Sequence, residues 1–217
     1  MRIEDIMAWA EAKMRWSDES PLECGFRYFH GLRVADIARM LAESRSEEYD
    51  QQTLFLGAFL HDVGKAGYRG PDHGPRGAEM ICREAMHMIA EKQREGICNA
   101  VANHYMRPRS SWLRGREVPE LRYETLLVQD ADILDHFGVV ALWTAIRWSV
   151  QEGRNQMETI DRYYGDAAWL EEASQSLNFA ESREELAKRI ALQETIYDSW
   201  RREQAGIMGA KLVTGDE

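Results

Sequence analysis

The segment from about 50 to 63 constrains the fold more than any other. It carries Leu54-Phe55-Leu56 and Ala58-Phe59-Leu60, which makes a helix apolar almost all round. Such a helix must lie at the centre of others. Helical spacing dominates elsewhere as well, and no convincing alternating strand interrupts it. Residues 3–14 set Ile3, Ile6, Met7, Ala10 and Met14 on one stripe, followed by a Ser-Asp-Glu-Ser-Pro turn at 17–21. Val34, Ile37, Ala38 and Leu41 mark a helix over about 26–43. The stretch Gly64 to Gly74, with four glycines and a proline, must be a loop. Helices resume at about 75–91 and 95–105. Residues 106–119, with two prolines and four arginines, read as an exposed loop. A further helix spans about 121–150, broken near Gly138, and from Gln151 onward Leu186, Ile190 and Ile196 recur on one face. The expected class is all-α, a single helical bundle with no clean internal linker.

Composition excludes several partners. The 217 residues are 44% apolar and 29% charged, with the charges spread along the chain, which argues for a packed core and against disorder. The net charge of −10 disfavours nucleic acid, whose binding draws on neutralised phosphates. No run approaches the roughly 20 apolar residues that cross a bilayer, so no membrane partner is expected. Met1-Arg2-Ile3-Glu4-Asp5-Ile6 puts acids where a secretory signal needs a basic start, and a cytoplasmic location is expected. Cys24, Cys82 and Cys98 form no tight pair in sequence and read as buried small hydrophobes.

The chemistry gathers where the apolar helix ends, at Leu60-His61-Asp62-Val63-Gly64-Lys65. An imidazole beside a carboxylate at a buried helix end is expensive unless a metal or an ion pair compensates it. Both groups are good ligands for first-row divalent cations. Other such groups recur at helix ends: His30 opens a helix, His73 follows the glycine-rich loop, and His104 closes Ile97-Cys98-Asn99-Ala100-Val101-Ala102-Asn103. Gln129-Asp130-Ala131-Asp132-Ile133-Leu134-Asp135 sets acids into an apolar helix. Asp130 and Asp132 lie about 200° apart around that helix. Asp132 shares a face with Asp135 and His136, and periodicity alone does not choose between the two. His87 and His136 read as ordinary structural histidines.

The ordered set resembles the HD superfamily of phosphohydrolases: a leading His, a His-Asp pair, later histidines and a distant Asp. His30-Gly31-Leu32-Arg33-Val34-Ala35 is similar to the family's leading-His helix, and His61-Asp62-Val63-Gly64-Lys65 to the pair in its two-metal branches. His73-Gly74-Pro75-Arg76-Gly77-Ala78 and His104 are similar to the extra histidines that hold a second ion there. The resemblance covers about residues 25–145. It implies an HD domain with its N-terminal helix over 1–150 and a helical C-terminal extension over 151–217, packed on the same domain. That extension can cover the core, cover the pocket or make a homodimer contact. The implied metal ligands are His30, His61, Asp62, His73, His104 and Asp132, with Asp130 the fallback or a partner orienting a histidine. The implied cofactor is one or two divalent ions (Mn, Fe, Co, Ni or Mg), and Asp62 suits a bridging role because its carboxylate has two oxygens.

The implied activity is hydrolysis of a small phosphorylated substrate, with a nucleotide expected, by attack of a metal-bound water. Asp62, Lys65 and Arg33 are the catalytic candidates, and Lys65 and Arg33 the phosphate binders. Arg69, Arg76, Arg107 and Arg109 flank the expected opening. His104-Tyr105-Met106 lacks the signature of the cyclic di-guanylate branch, and Gly64-Lys65 departs from the alarmone and deoxynucleoside-monophosphatase branches. The same Gly-Lys is similar to the dinucleoside-polyphosphate hydrolases. A di-iron oxygenase and a non-catalytic, metal-stabilised regulatory module are the alternatives.

Overall fold

The computed structural model describes residues 3–15, 24–68, 70–108, 117, 119–165 and 167–206. The helices are α1 (Ile3–Met14), α2 (Phe26–Glu43), α3 (Gln51–Leu60), α4 (His73–Met80), α5 (Glu91–Asn103), α6 (Tyr123–Asp135), α7 (Val139–Gln151), α8 (Gln156–Gly165), α9 (Ala167–Ser176) and α10 (Ala180–Gln204). A 3-10 turn spans Val63–Lys65, and α4 runs on through a π turn, Ile81–Ala85, and a second 3-10 turn, Met86–Met88. The described residues contain no strand. The turn expected at 17–21, Arg69, Arg109 and most of the loop expected at 106–119 lie outside the described residues.

Helix α3 occupies the centre that its composition demands. Asp50 caps it, its carboxylate accepting from the Thr53 N–H at 2.8 Å. Leu54, Leu56, Ala58, Phe59 and Leu60 are all buried. Full burial of each large side chain contributes about 1.5–3 kcal/mol. α3 packs against α2, α5 and α6. The approach to α2 is close because Gly31 has no side chain: a Cβ there would sit 2.3 Å from the Phe59 carbonyl oxygen. That contact draws the residue beside it, His30, up to the end of α3. Gly64 does the same for α4, since a Cβ at that position would lie 1.9 Å from the carbonyl oxygen of His73.

Several boundaries differ from the spacing-based reading. α3 ends at Leu60, so His61 and Asp62 lie in the turn that follows rather than inside the helix. α4 begins at His73 and takes Pro75 into its first turn, where a missing N–H has no intrahelical partner to lose. The helix expected over 121–150 does break at Gly138, as expected, with that residue at φ 85° between α6 and α7. The cysteine expectation is corrected: Cys24 and Cys82 are exposed, Cys98 is half-buried, and the Cys82 and Cys98 sulfurs stand 3.9 Å apart. Sequence distance concealed that pair because it spans α4's continuation and α5.

Helices α9 and α10 share the bundle's core. Ala173, Leu177 and Leu186 are buried in the same apolar cluster as α2, α3 and α6, and α10 packs on α6, α7 and α8. Asp130 fastens them. It is fully buried, and its carboxylate accepts from the Asn178 N–H (2.8 Å), the Asn178 side-chain amide (2.9 Å) and the Phe179 N–H (3.1 Å), at the start of α10. Among the described residues, no helix is long and apolar enough to cross a membrane.

Candidate metal centre

Helix ends deliver the histidines. His61 follows α3 and places Nδ1 2.7 Å from the carbonyl of Ala58; His104 follows α5 and places Nδ1 2.8 Å from the carbonyl of Val101. Both carbonyls belong to a last helical turn and lack a helical partner. A carbonyl only accepts, so each Nδ1 carries a proton and donates, which leaves Nε2 as the ring nitrogen that faces the cluster. Burial pushes the His104 imidazole down to about 3, helped by the neighbouring His61, so that ring is neutral.

His30, on α2, is oriented from the far side. Its Nδ1 donates to Asp135 Oδ2 at 2.7 Å, turning its Nε2 toward His61 Nε2 at 3.2 Å. Two nitrogens whose other ring atoms hold the protons face each other there, and this needs a cation between them. Burial works against a charge on His30, but the hydrogen bonds to Asp132 and Asp135 outweigh it and raise its pKa to about 9. On that balance His30 is protonated at neutral pH, and a divalent ion held there would displace that proton.

The carboxylates complete the cluster. Asp62 Oδ1 is buried and has no hydrogen-bond partner, yet it lies 3.7 Å from His61 Nε2, 3.7 Å from His73 Nε2 and 3.6 Å from His104 Nε2. Its other oxygen accepts from Lys65 Nζ at 2.8 Å. Asp132 repeats the arrangement: Oδ1 is 3.3 Å from His30 Nε2 and 3.6 Å from His61 Nε2, while Oδ2 accepts from Arg107 Nη2 at 2.6 Å. Burial pushes the Asp62 carboxyl up, but charge on His61 and Lys65 more than offsets it, and the group ionises well below the usual carboxylate range.

Three overlapping groups have donor atoms close enough to share an ion: His30, His61 and Asp62; Asp62, His73 and His104; and His30, Asp132 and His136. Asp62 belongs to two of them. The donor set is imidazole nitrogen and carboxylate oxygen, which suits first-row divalent metals, and an orphaned buried oxygen among three imidazoles is the position a cation would satisfy.

The geometry revises several roles. His136, read as structural, has Nε2 3.6 Å from Asp132 Oδ1. His87 is exposed and belongs to none of the three groups. Arg33 clasps Asp135, with Nε 2.9 Å from Oδ1 and Nη2 3.0 Å from Oδ2, and Arg76 binds the Gly64 carbonyl at 2.5 Å. Asp130 faces Asn178, away from every histidine of the cluster. The sequence assigns Asp135 no role beyond sharing a face with Asp132, and places Arg107 only among the arginines flanking the opening. Asp135 had a usable signal, since it sits three residues after Asp132 and so on the same helical face.

The model of the HD domain matches residues 27–136, a stretch that holds every histidine and carboxylate of the cluster. The chain belongs to the HD-domain family. No curated protein matches it in sequence. Among solved structures it is similar to an HD-superfamily hydrolase from Bacillus thuringiensis, with a TM-score of 0.65 and 18% identity, covering 94% of this chain and 96% of that one. It is similar to Bacillus subtilis YpgQ in complex with ADP, with a TM-score of 0.64 and 18% identity over 92% of this chain and 93% of that one. A predicted HD-superfamily hydrolase from an uncultured Thermotogales bacterium gives a TM-score of 0.61 at 18% identity, covering 93% and 92%. At these identities the shared property is the HD fold along nearly the whole chain.

Asp135 gives the HD cluster a direct test. A carboxylate that holds a ligand histidine in its tautomer typically accounts for 10–100-fold in metal affinity. Asp135→Asn should therefore weaken manganese binding by about that factor, measured by competition with a chelating dye. Unchanged affinity would show that His30 needs no such orientation.

Proposed function

We propose that this HD-domain protein is a metal-dependent hydrolase that cleaves a phosphate ester or anhydride of a nucleotide. The observation that carries the reading is Asp62 Oδ1, buried and unbonded, within 3.6–3.7 Å of the Nε2 atoms of three histidines drawn from three segments. His30, His61, Asp62 and Asp132 would hold one divalent ion, and Asp62, His73 and His104 a second. Ions so held would polarise phosphoryl oxygens and bring the pKa of a water toward neutrality.

The remaining residues set the stage for that chemistry. Lys65 and Arg107 each hold one carboxylate oxygen, keeping the other turned inward. Both side chains are part-exposed, at 33% and 23%, so each cation also borders the space a phosphate would enter. Arg33 acts through Asp135 and His30 as a positioning residue rather than as a direct phosphate ligand. On this reading residues 1–150 would make up the HD domain and the chain from 151 onward a helical extension of it, packed on it as far as the described residues reach, to 206. Support for a nucleotide comes from YpgQ, which shares the fold and was solved with ADP.

The experiment is to supply manganese, iron, cobalt or nickel to metal-stripped protein. Phosphorus NMR then follows nucleoside mono-, di- and triphosphates, dinucleoside polyphosphates and bis(p-nitrophenyl) phosphate. Release of phosphorylated product that stops on chelation is expected. Metal-loaded protein that cleaves none of them refutes the reading, and oxygen uptake by the iron form without phosphate release would replace it with oxidation.

A further inference from the structure

Helices α7 to α10 enclose a cavity of about 520 Å³ beside the metal cluster. We propose that this cavity seats the planar aromatic base of the substrate while the phosphates lie on the cluster, an inference that rests on the nucleotide reading above. It assigns the C-terminal helices a share in substrate recognition.

Position is the first argument. His136 lines the cavity, and its Nε2 is 3.6 Å from Asp132 Oδ1. One imidazole thus borders both spaces, so a molecule with its phosphates at the cluster can place its other end among α7 to α10. The cavity also falls within the range of small-molecule sites, about 300–1,000 Å³.

Chemistry is the second. Trp148 and Trp169 line the cavity while 38% and 50% exposed. Large indoles left open in a concave site are stacking platforms for flat ligands. Trp169 is held by stacking on Phe137, with ring centroids 4.7 Å apart and planes 14° apart. Its orientation is therefore set before a ligand arrives.

The third argument is an unsatisfied hydroxyl. Tyr163 lines the same cavity, and its buried Oη has no hydrogen-bond partner. The ring cannot easily turn away, since it stacks on Tyr197 with centroids 4.0 Å apart and planes 6° apart. A buried hydroxyl without a partner is costly and uncommon. Here it matches the donors and acceptors along a base edge. Burial and the nearby Glu194 push this phenol up to about 12, so its proton stays available for donation. Arg154, also on the cavity wall, adds a guanidinium, one of whose nitrogens stands 3.4 Å from Glu152 Oε2.

Calorimetry on the manganese-loaded protein tests this with two probes that share a diphosphate-like group. One is a methylene-bridged ADP analogue and the other methylenediphosphonate, which has no base. Wild type should bind the analogue about 10-fold more tightly, the size of effect that stacking one base gives. In Trp148→Ala, which removes a platform, and Ala145→Trp, which fills the cavity, that ratio should fall to about one. Equal affinities in wild type, or a preserved ratio in Trp148→Ala, overturn the proposal. Should Ala145→Trp fail to fold, Trp148→Ala decides alone, because its indole is already part-exposed. Wild-type cleavage of bis(p-nitrophenyl) phosphate separates the two readings. Cleavage without any preference for the base refutes the cavity assignment alone. Preference for the base without cleavage of any phosphate ester refutes the hydrolase reading alone.

Discussion

Asp62→Ala is expected to reduce metal-dependent phosphate release to the level of the chelated protein. Among the described residues, Asp62 joins the His30–His61 group to the His73–His104 group: Oδ1 lies 3.7 Å from His61 Nε2 on one side and 3.6 Å from His104 Nε2 on the other. Removing it deletes the negative charge that a divalent ion among neutral imidazoles requires, and it frees Lys65 from its bond to Oδ2. His61→Ala should do the same by opening the site between His30 and Asp62. Binding gives an independent readout. A ligand at 100 times its dissociation constant stabilises the folded state by about 2.7 kcal/mol. For a chain of this size that raises the melting temperature by roughly 5–10 °C. Manganese should produce that rise in wild type and none in Asp62→Ala. Asp62→Asn, which keeps the shape and removes only the charge, should behave like the alanine variant; circular dichroism distinguishes either loss from unfolding. Turnover at the wild-type rate in either variant would end the two-ion reading.

What the sequence revealed and what it concealed divide along a physical line. Period and punctuation are local, so α1, α2 and the break at Gly138 follow from spacing and from one glycine. His30, His61, Asp62, His73 and His104 stood out because each sits at or near a helix end, where ionisable groups need an explanation, but their reading as one ligand set, and the choice of Asp132 over Asp130, came from the resemblance to the HD superfamily. The structure brings all six together. Contacts between elements are not local. Nothing in the spacing showed that Arg33 would meet Asp135 across 102 residues, or that Arg107 would meet Asp132. The Cys82–Cys98 approach and the α7–α10 cavity are likewise products of packing. His136 was misread because it lies just past the end of α6 and 45% exposed, and only Asp132 one turn earlier ties it to the cluster.

Asp130→Ala is expected to cost about 3 kcal/mol or more of stability, among the larger effects of any single substitution in this chain. The carboxylate is fully buried and accepts three hydrogen bonds from Asn178 and Phe179. Truncation leaves two backbone N–H groups without an acceptor, while the Asn178 side-chain amide keeps the Leu126 carbonyl and Gln129 Oε1, and each buried donor so stranded costs about 1–3 kcal/mol. The melting temperature should fall by roughly 6–12 °C, read by circular dichroism. Asp130→Asn should fall between wild type and alanine, because it keeps one oxygen acceptor but turns the other toward donors as an amide. The metal centre should be spared at temperatures where the variant is folded. Asp132 points about 200° away around the same helix, and no atom of Asp130 contacts a histidine of the cluster. The damage should fall instead on the junction that ties α9 and α10 to α6, and with it on the cavity those helices help to enclose. A variant that binds manganese normally in the cold but loses its preference for the base-bearing probe would place Asp130 between the two halves of the site. Wild-type melting would show that the Asn178–Phe179 junction finds other acceptors and that the carboxylate is not what fastens the C-terminal helices.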